Sequence, residues 1–327
     1  MNRLETLGEQ LIWTLKDNSA AVKLSLVLQK LPDLNYDLDD VLSLAKEWGY
    51  QIDQTESELK LIASPDKLID TEIKYKLSTS FIGQNIHAYQ SVLSTNDIAT
   101  SLAEANLPEG TLVIAEEQKR GRGRMGRIWH SPQNGNAYLS LILRPTLRAG
   151  DAPGLAIITA LALAETVNEY LPNQVNIKWP NDLLLNGKKT AGILTELQSE
   201  QDKINFVIVG IGININVDPN VFPEDIKALV TSISHENGEP INRIELIRKF
   251  LSRFESLYLS YQNNLLHPHL DKIKSYSFLL GKKISFQKKD VIFEGMAIDI
   301  SANGNLVVDV NGAAMSVNSG EVTIVKR

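Results

Sequence analysis

The segment Gly121-Arg122-Gly123-Arg124-Met125-Gly126-Arg127-Ile128-Trp129 interleaves three arginines with three glycines directly after an apolar run, Leu112 to Glu116. Guanidinium groups keep their charge and present forked donors that match carboxylate or phosphate, while glycine lets backbone approach a ligand closely. The tract reads as a loop that wraps a small anion, mobile when empty and ordered when filled. An arginine–glycine tract lying on nucleic acid is its second reading, and the apolar runs on both sides favour the first by embedding it in a folded domain. Further along, Lys178-Trp179-Pro180-Asn181-Asp182 sets a carboxylate beside an amide at a strand exit whose direction Pro180 fixes. That pair suits Mg²⁺ shared with phosphate oxygens, and ordinary turn chemistry accounts for it equally well. Lys189 follows across Asn186-Gly187, a two-residue hairpin signal that returns it toward Asp182. Taken alone, Lys189 is also what a solvated hairpin lysine looks like.

Two smaller signals complete the set. Gly210-Ile211-Gly212-Ile213-Asn214-Ile215-Asn216 puts two glycines in an apolar strand, a mark of close backbone approach or a bulge. It opens no helix and is not GxGxxG, so a dinucleotide-binding reading fails. Ser94-Thr95-Asn96-Asp97 reads as a helix N-cap whose hydroxyls could also face a ligand. His267-Pro268-His269 is spaced like a metal pair, but the proline opposes a helical arrangement and the segment reads as a surface turn.

These groups need elements to hold them, and the chain divides into three. Residues 1–65 show helical apolar spacing in Leu4-Leu7-Leu11-Leu15, in Val22 to Leu28 and from Leu38 to Trp48, with a turn at Pro32-Asp33-Leu34-Asn35. Short alternating runs at Tyr50–Asp53 and Leu59–Ile62 follow, so three helices and a hairpin predict a winged helix-turn-helix. Ser64 to Ser78 reads as a connector. Residues 80–279 read as a mixed α/β domain, with strands at Leu112–Glu116, Ala137–Leu143, Val175–Lys178, Thr190–Leu197 and Ile204–Ile215. An apolar helix from Pro153 to Tyr170 lies among them, and helices near 242–262 and 267–279 close the domain. Residues 280–327, with turns at Asn303-Gly304 and Asn311-Gly312, predict a small β-barrel. The whole is α+β.

Composition excludes several classes. The chain has 327 residues, 43% hydrophobic and 22% charged, as in an ordinary soluble protein. With no cysteine, disulfides, thiol catalysis and Cys-based zinc sites are out. The best apolar run, Leu155 to Ala164, is short for a bilayer, and the N-terminus lacks a signal pattern. No membrane partner and a cytoplasmic location are the expectations. Residues 1–75 hold 8 basic and 14 acidic residues, so the chain's whole net charge of −6 sits there.

In order and spacing, Ser94-Thr95-Asn96, Gln118, the Gly121–Trp129 loop, Lys178-Trp179-Pro180-Asn181-Asp182, Lys189-Thr190-Ala191-Gly192 and Gly212-Ile213-Asn214 together resemble the biotin protein ligase family. The form resembled is the bacterial ligase/repressor with an N-terminal winged helix. The resemblance covers most of 80–327, since Ser319-Gly320-Glu321-Val322 is similar to an element of the family's C-terminal domain. It implies a class II synthetase-like catalytic domain and an SH3-like C-terminal barrel. It also implies two half-reactions: biotin and MgATP give biotinoyl-5′-AMP and pyrophosphate, and a lysine of the biotin carboxyl carrier protein of acetyl-CoA carboxylase then takes the biotinoyl group.

By that resemblance Ser94, Thr95, Asn96, Gln118, Arg122, Gly123, Arg124, Lys189 and Gly192 bind biotin. Arg124, Arg127, Trp129, Asn181, Asp182 and Asn214 surround the nucleotide. Lys189, Arg124 and Asp182 are the catalytic set, with Asp182 the candidate for Mg²⁺ and for helping to deprotonate the acceptor lysine. A homodimer and operator DNA are the further partners implied. The expected recognition helix departs from a DNA reader, because it opens Asp37-Leu38-Asp39-Asp40 and its only base before Trp48 is Lys46. Two other classes stand beside this reading, a lipoate protein ligase and a biotin-sensing transcription regulator without catalysis. The Lys-Trp-Pro-Asn-Asp motif beside the arginine loop disfavours the first, and the full set of basic and Mg²⁺-type residues disfavours the second.

Overall fold

The computed structural model describes residues 3–31, 37–133, 135–288, 291–318, 320 and 322–325. The turn expected at Pro32–Asn35 lies outside them, as do Ser319 and Glu321. The chain forms two compact units, Met1–Lys76 and Leu77–Arg327.

The first unit runs α1 (Arg3–Lys16), β1 (Val22–Lys23), α2 (Leu24–Lys30), α3 (Leu38–Glu47), β2 (Gln51–Gln54), β3 (Glu58–Ala63) and α4 (Asp70–Lys74). Its strands form an antiparallel sheet in the order β1-β3-β2. The apolar faces read from the sequence close one core around Leu11, Ile12, Val27, Val41, Ala45 and Leu59. Asp37 caps α3 through its own carboxylate. The expected connector is not irregular, for α4 is helical and belongs to this unit. Trp13 Nε1 donates to Thr71 O at 3.0 Å and Lys16 Nζ to Glu72 Oε2 at 2.6 Å, contacts that the local pattern of a five-residue helix does not announce.

The second unit has at its centre a seven-stranded sheet ordered β4-β5-β6-β10-β9-β8-β7. Its strands are β4 (Ile86–Tyr89), β5 (Leu112–Ala115), β6 (Ala137–Leu143), β7 (Val175–Lys178), β8 (Asp182–Leu185), β9 (Lys188–Glu200) and β10 (Lys203–Ile213). Only β4 and β5 run parallel. Strand β4 was not expected, and β8 was implied only as the first arm of the Asn186-Gly187 hairpin. The Asn186-Gly187 signal does make the β8–β9 turn, with both residues at positive φ, 49° and 79°.

Helix α5 (Thr95–Glu104) packs on β5, β6 and β10, and α6 (Gly154–Val167) packs on β7, β8, β9 and α8 (Arg243–Asn264). A short α7 (Ile233–Asn237) precedes α8, and α9 (Leu270–Ser275) follows a 3₁₀ turn at His267–His269. The stretch Ala149–Val167 has the length and apolarity to cross a bilayer, yet 78% of it is buried inside this fold, as in a core helix. Five more strands, β11 (Lys283–Lys288), β12 (Val291–Ile300), β13 (Leu306–Val310), β14 (Ala313–Val317) and β15 (Val322–Ile324), form an antiparallel sheet ordered β14-β13-β12-β11-β15. Trp179 Nε1 donates to Gly304 O at 2.8 Å and ties that sheet to the central one.

Candidate active site

A cavity of about 270 Å³ opens above the middle of the central sheet. The start of α5, the arginine loop, the β7–β8 turn, β9, β10 and the β15 segment line it. Of the residues assigned from sequence to biotin, nucleotide or catalysis, only Asn214 is missing from its wall.

One end of the cavity is a connected set of uncharged polar groups. Ser94 occupies the N-cap position of α5, but its hydroxyl makes no cap bond, so the helix leaves it for the cavity. Gln118 Oε1 accepts from Thr95 N at 2.8 Å and Thr95 Oγ1 at 3.0 Å, while its Nε2 donates to Ser131 Oγ at 3.1 Å. Ser140 Oγ, fully buried on β6, lies 2.8 Å from Thr95 Oγ1 and 2.6 Å from Asn96 Oδ1. Such a cluster suits a neutral ligand with several donors and acceptors.

The glycines of β9 and β10 make the room. Gly210 pairs with Ser140, and a Cβ added there would collide with the Asn96 amide. Gly212 pairs with Gly192, so two facing positions carry no side chain. The Trp129 indole fills that slot; a Cβ on Gly212 would come 2.4 Å from its Cε2, and one on Gly192 would come 2.9 Å from Cζ3. Close approach, not a bulge, is therefore what these glycines serve. The register is unbroken across both pairs.

The arginine loop is a small hairpin. Residues Arg122 and Ile128 bridge across it, Gly123 N donates to Arg127 O at 2.8 Å, and Trp129 N donates to Gly121 O at 2.9 Å. Met125 sits at its tip at positive φ, 57°. The arginines diverge in role. Arg124 reaches into the cavity and donates to Asn181 Oδ1 at 3.0 Å. Burial lowers its pKa, Asp182 pulls the other way, and the like charge of Arg127 adds to the lowering. Arg122 turns sideways, pairs with Asp97 and meets both oxygens of Glu196 at 3.0 and 3.1 Å. Burial opposes its charge, but those two carboxylates outweigh it and raise its pKa. Arg127 is exposed at the rim.

At the other end, Lys189 Nζ lies 2.7 Å from Asp182 Oδ1 and 5.3 Å from the centre of the Trp129 ring. The separation is that of an ion pair, although the oxygen has no well-aligned hydrogen bond. Asn181 is fixed by Nδ2 donating to Ile193 O at 2.8 Å. Among the described residues no three His, Asp or Glu side chains converge as a metal cage. Asn181 beside Asp182 does fit the mode in which Mg²⁺ takes one carboxylate and draws its other oxygens from phosphate and water. His267-Pro268-His269 makes a surface 3₁₀ turn, with His269 Nε2 2.9 Å from Ser260 Oγ.

Asn214 stays beneath the cavity. Its N donates to Thr190 O at 2.8 Å, its Nδ2 donates to Thr231 O at 3.2 Å, and it steadies the segment carrying Lys189. Sequence reasoning missed Glu196, Ser131 and Ser140, and the wall given by Gly320, Val322 and Thr323, and it named Lys178 only within its motif, without a role. Glu196 shares the face of β9 that carries Gly192 and Leu194, a period of two that could have pointed to it.

Residues 88–214 match the family model described as the biotin/lipoate A/B protein ligase family. The chain is 39% identical over 282 residues, 86% of each chain, to the bifunctional ligase/repressor BirA of Bacillus subtilis (strain 168). It is 30% identical over 242 residues to the biotin–[acetyl-CoA-carboxylase] ligase of Mycobacterium tuberculosis (strain ATCC 25618 / H37Rv), covering 70% of this chain and 85% of that one. Among solved structures, the biotin protein ligase from Aquifex aeolicus in complex with biotin and ATP superposes with a TM-score of 0.65 at 28% identity. That match covers 75% of this chain and all of the other.

Proposed function

The chain belongs to the biotin protein ligase family, and from that premise we infer the chemistry its cleft performs: ATP-dependent ligation of biotin to a lysine of an acceptor protein. The observation that carries this reading is the cavity's two-ended character. A neutral hydrogen-bonding pocket (Ser94, Thr95, Asn96, Gln118) suits the ureido ring of biotin, and a cationic end (Arg124, Lys189) suits its carboxylate and the α-phosphate. The Aquifex relative, solved with biotin and ATP, supports both ligands.

Biotin carboxylate attacks the α-phosphorus, and pyrophosphate leaves. Both reactants are anions, so Lys189 and Arg124 offset their repulsion and stabilise the charge that builds on the phosphoryl oxygens. Lys189 is held in place by Asp182 and by the Trp129 ring. Magnesium would bind at Asp182 and Asn181 together with ATP oxygens and would supply further charge neutralisation. The arginine hairpin covers the mixed anhydride and limits its hydrolysis. In the second step the acceptor's ε-amine attacks the biotinoyl carbonyl and AMP leaves, with Asp182 placed to draw off the proton. The name of the mycobacterial relative supports the carrier protein of acetyl-CoA carboxylase as acceptor. The family resemblance supports a homodimer and a cytoplasmic location.

Pyrophosphate release in the presence of ATP tests the reading, with biotin expected to drive it and lipoate not. Lys189→Ala is expected to keep the fold and to lower adenylation by about 10²-fold or more, the scale of one lost transition-state partner. Lipoate-driven turnover would move the chain to the other branch of its family, and an unimpaired Lys189→Ala would remove that lysine from the mechanism. The names of relatives similar over 86% of the chain support a second role in repression. The acidic opening of α3 weighs against it.

A further inference from the structure

Ion pairs at the protein surface are usually weak and interchangeable, but the one at Arg122 joins two functional parts. Glu196 is a single carboxylate with two duties. Its Oε2 accepts from Asn96 Nδ2 at 2.6 Å, and both its oxygens meet the Arg122 guanidinium. Followed outward, the hydrogen-bonded chain runs Arg122, Glu196, Asn96, Ser140, Thr95, Gln118, Ser131, and ends where Ser131 Oγ donates to Trp129 O at 3.2 Å. Arg122 stands on one stem of the hairpin loop and Trp129 on the other, and the stems bond to each other at Trp129 N and Gly121 O. The circuit therefore closes on itself, passing under the neutral end of the cavity and returning through the loop. Asp97, the other carboxylate on Arg122, begins on the same α5 turn as Asn96.

We infer that Glu196, assisted by Asp97, is a positioning residue that clamps the arginine hairpin through Arg122 and couples its closure to filling of the Thr95–Asn96–Gln118 pocket. A ligand that engages these polar side chains fixes Asn96, Asn96 fixes the Glu196 carboxylate, and the carboxylate holds the hairpin stem over the cleft. The reverse also follows from linkage: a hairpin held shut tightens the binding of whatever lies beneath it. The three charged side chains are each more than a third exposed, at 41% for Arg122, 52% for Asp97 and 38% for Glu196. Their contribution to stability is accordingly small, and a purely structural role would leave ligand kinetics alone.

The inference rests on the ligase reading, and one set of measurements on the full chain separates them. Glu196→Gln, Arg122→Met, the double variant and Asp97→Asn are compared with the wild type. The readouts are biotin KM, kcat for pyrophosphate release, the dissociation rate of biotinoyl-5′-AMP, and melting temperature. Wild-type adenylate formation tests the reading itself. The clamp predicts that Glu196→Gln raises biotin KM and adenylate release by about tenfold, with kcat nearly unchanged and melting within a few degrees of wild type, and that Arg122→Met raises KM and release to the same extent. The double variant should be no worse than either single one, because both remove the same link. Asp97→Asn, whose side chain is the most exposed of the three, should move KM and release in the same direction by about threefold and serves if Glu196→Gln fails to fold. Wild-type KM and release in Glu196→Gln, or losses that multiply in the double variant, would overturn the clamp while leaving the ligase reading intact.

Discussion

At the scale of single residues, the site works by omission as much as by provision. Gly192 and Gly212 face each other across β9 and β10, and the Trp129 indole lies where their side chains would be. Trp129 in turn sits beside the Lys189 ammonium, so a methyl group at Gly212 displaces the ring that helps to place the cation proposed to act in adenylation. Gly212→Ala should therefore slow adenylation by about 10–100-fold, through loss of positioning, and lower stability by about 1–3 kcal/mol through overpacking. Steady-state kinetics alongside thermal melting would check both, and normal kinetics would show that the ring has another place to go. The sequence made the glycines visible as a demand for close approach. It could not say what approaches, because Trp129 and Asn96 lie far off in the chain and reach β10 only through folding. The same distance hid Glu196, whose partners Asn96 and Arg122 come from two other elements.

At the scale of elements, the parts legible in advance were those with a long period or a defined turn. The buried helix α6, the long pair β9 and β10, and the Asn-Gly turn all announce themselves. Elements that owe their form to tertiary contacts do not. In the second unit the segment leading to β4 is held by α8, where the Glu255 carboxylate accepts from Ser80 N at 2.6 Å, Phe81 N at 3.0 Å and Ile82 N at 2.9 Å. Burial raises the pKa of Glu255, and the three backbone donors outweigh it, leaving the carboxyl below its ordinary 4.5. A depressed folded pKa means that this stabilisation is complete above the ordinary value and is lost as pH falls through the folded one. Acid unfolding monitored by circular dichroism should thus show a limb below about pH 4.5 that flattens in Glu255→Gln. That variant should also cost about 1–3 kcal/mol at neutral pH, since three N–H groups lose a charged acceptor. An unchanged acid limb would assign the transition to other carboxylates.

At the scale of the whole molecule, two compact units carry separable properties. The catalytic unit includes the C-terminal sheet, which lends Gly320, Val322 and Thr323 to the cavity wall and anchors on Trp179. Composition had marked that sheet as a separate domain, and its share in the cavity became visible only in three dimensions. The first unit has the elements of a winged helix, with carboxylates at Asp37, Asp39 and Asp40 where α3 begins. Phosphate attraction rests on Lys and Arg, so a mobility shift with the natural operator should be weak, and steeply salt-sensitive if present. A tight shift in biotin and ATP at physiological salt would restore the repressor reading.

The distribution of charge has a consequence for handling the protein. All of the surplus of −6 lies within the first 75 residues, and the remainder is balanced. Mutual repulsion between molecules at neutral pH comes almost wholly from the first unit, Met1–Lys76, with 9 basic against 14 acidic residues. Cut away from it, the catalytic unit would sit close to its isoelectric point, where colloidal repulsion vanishes and precipitation sets in.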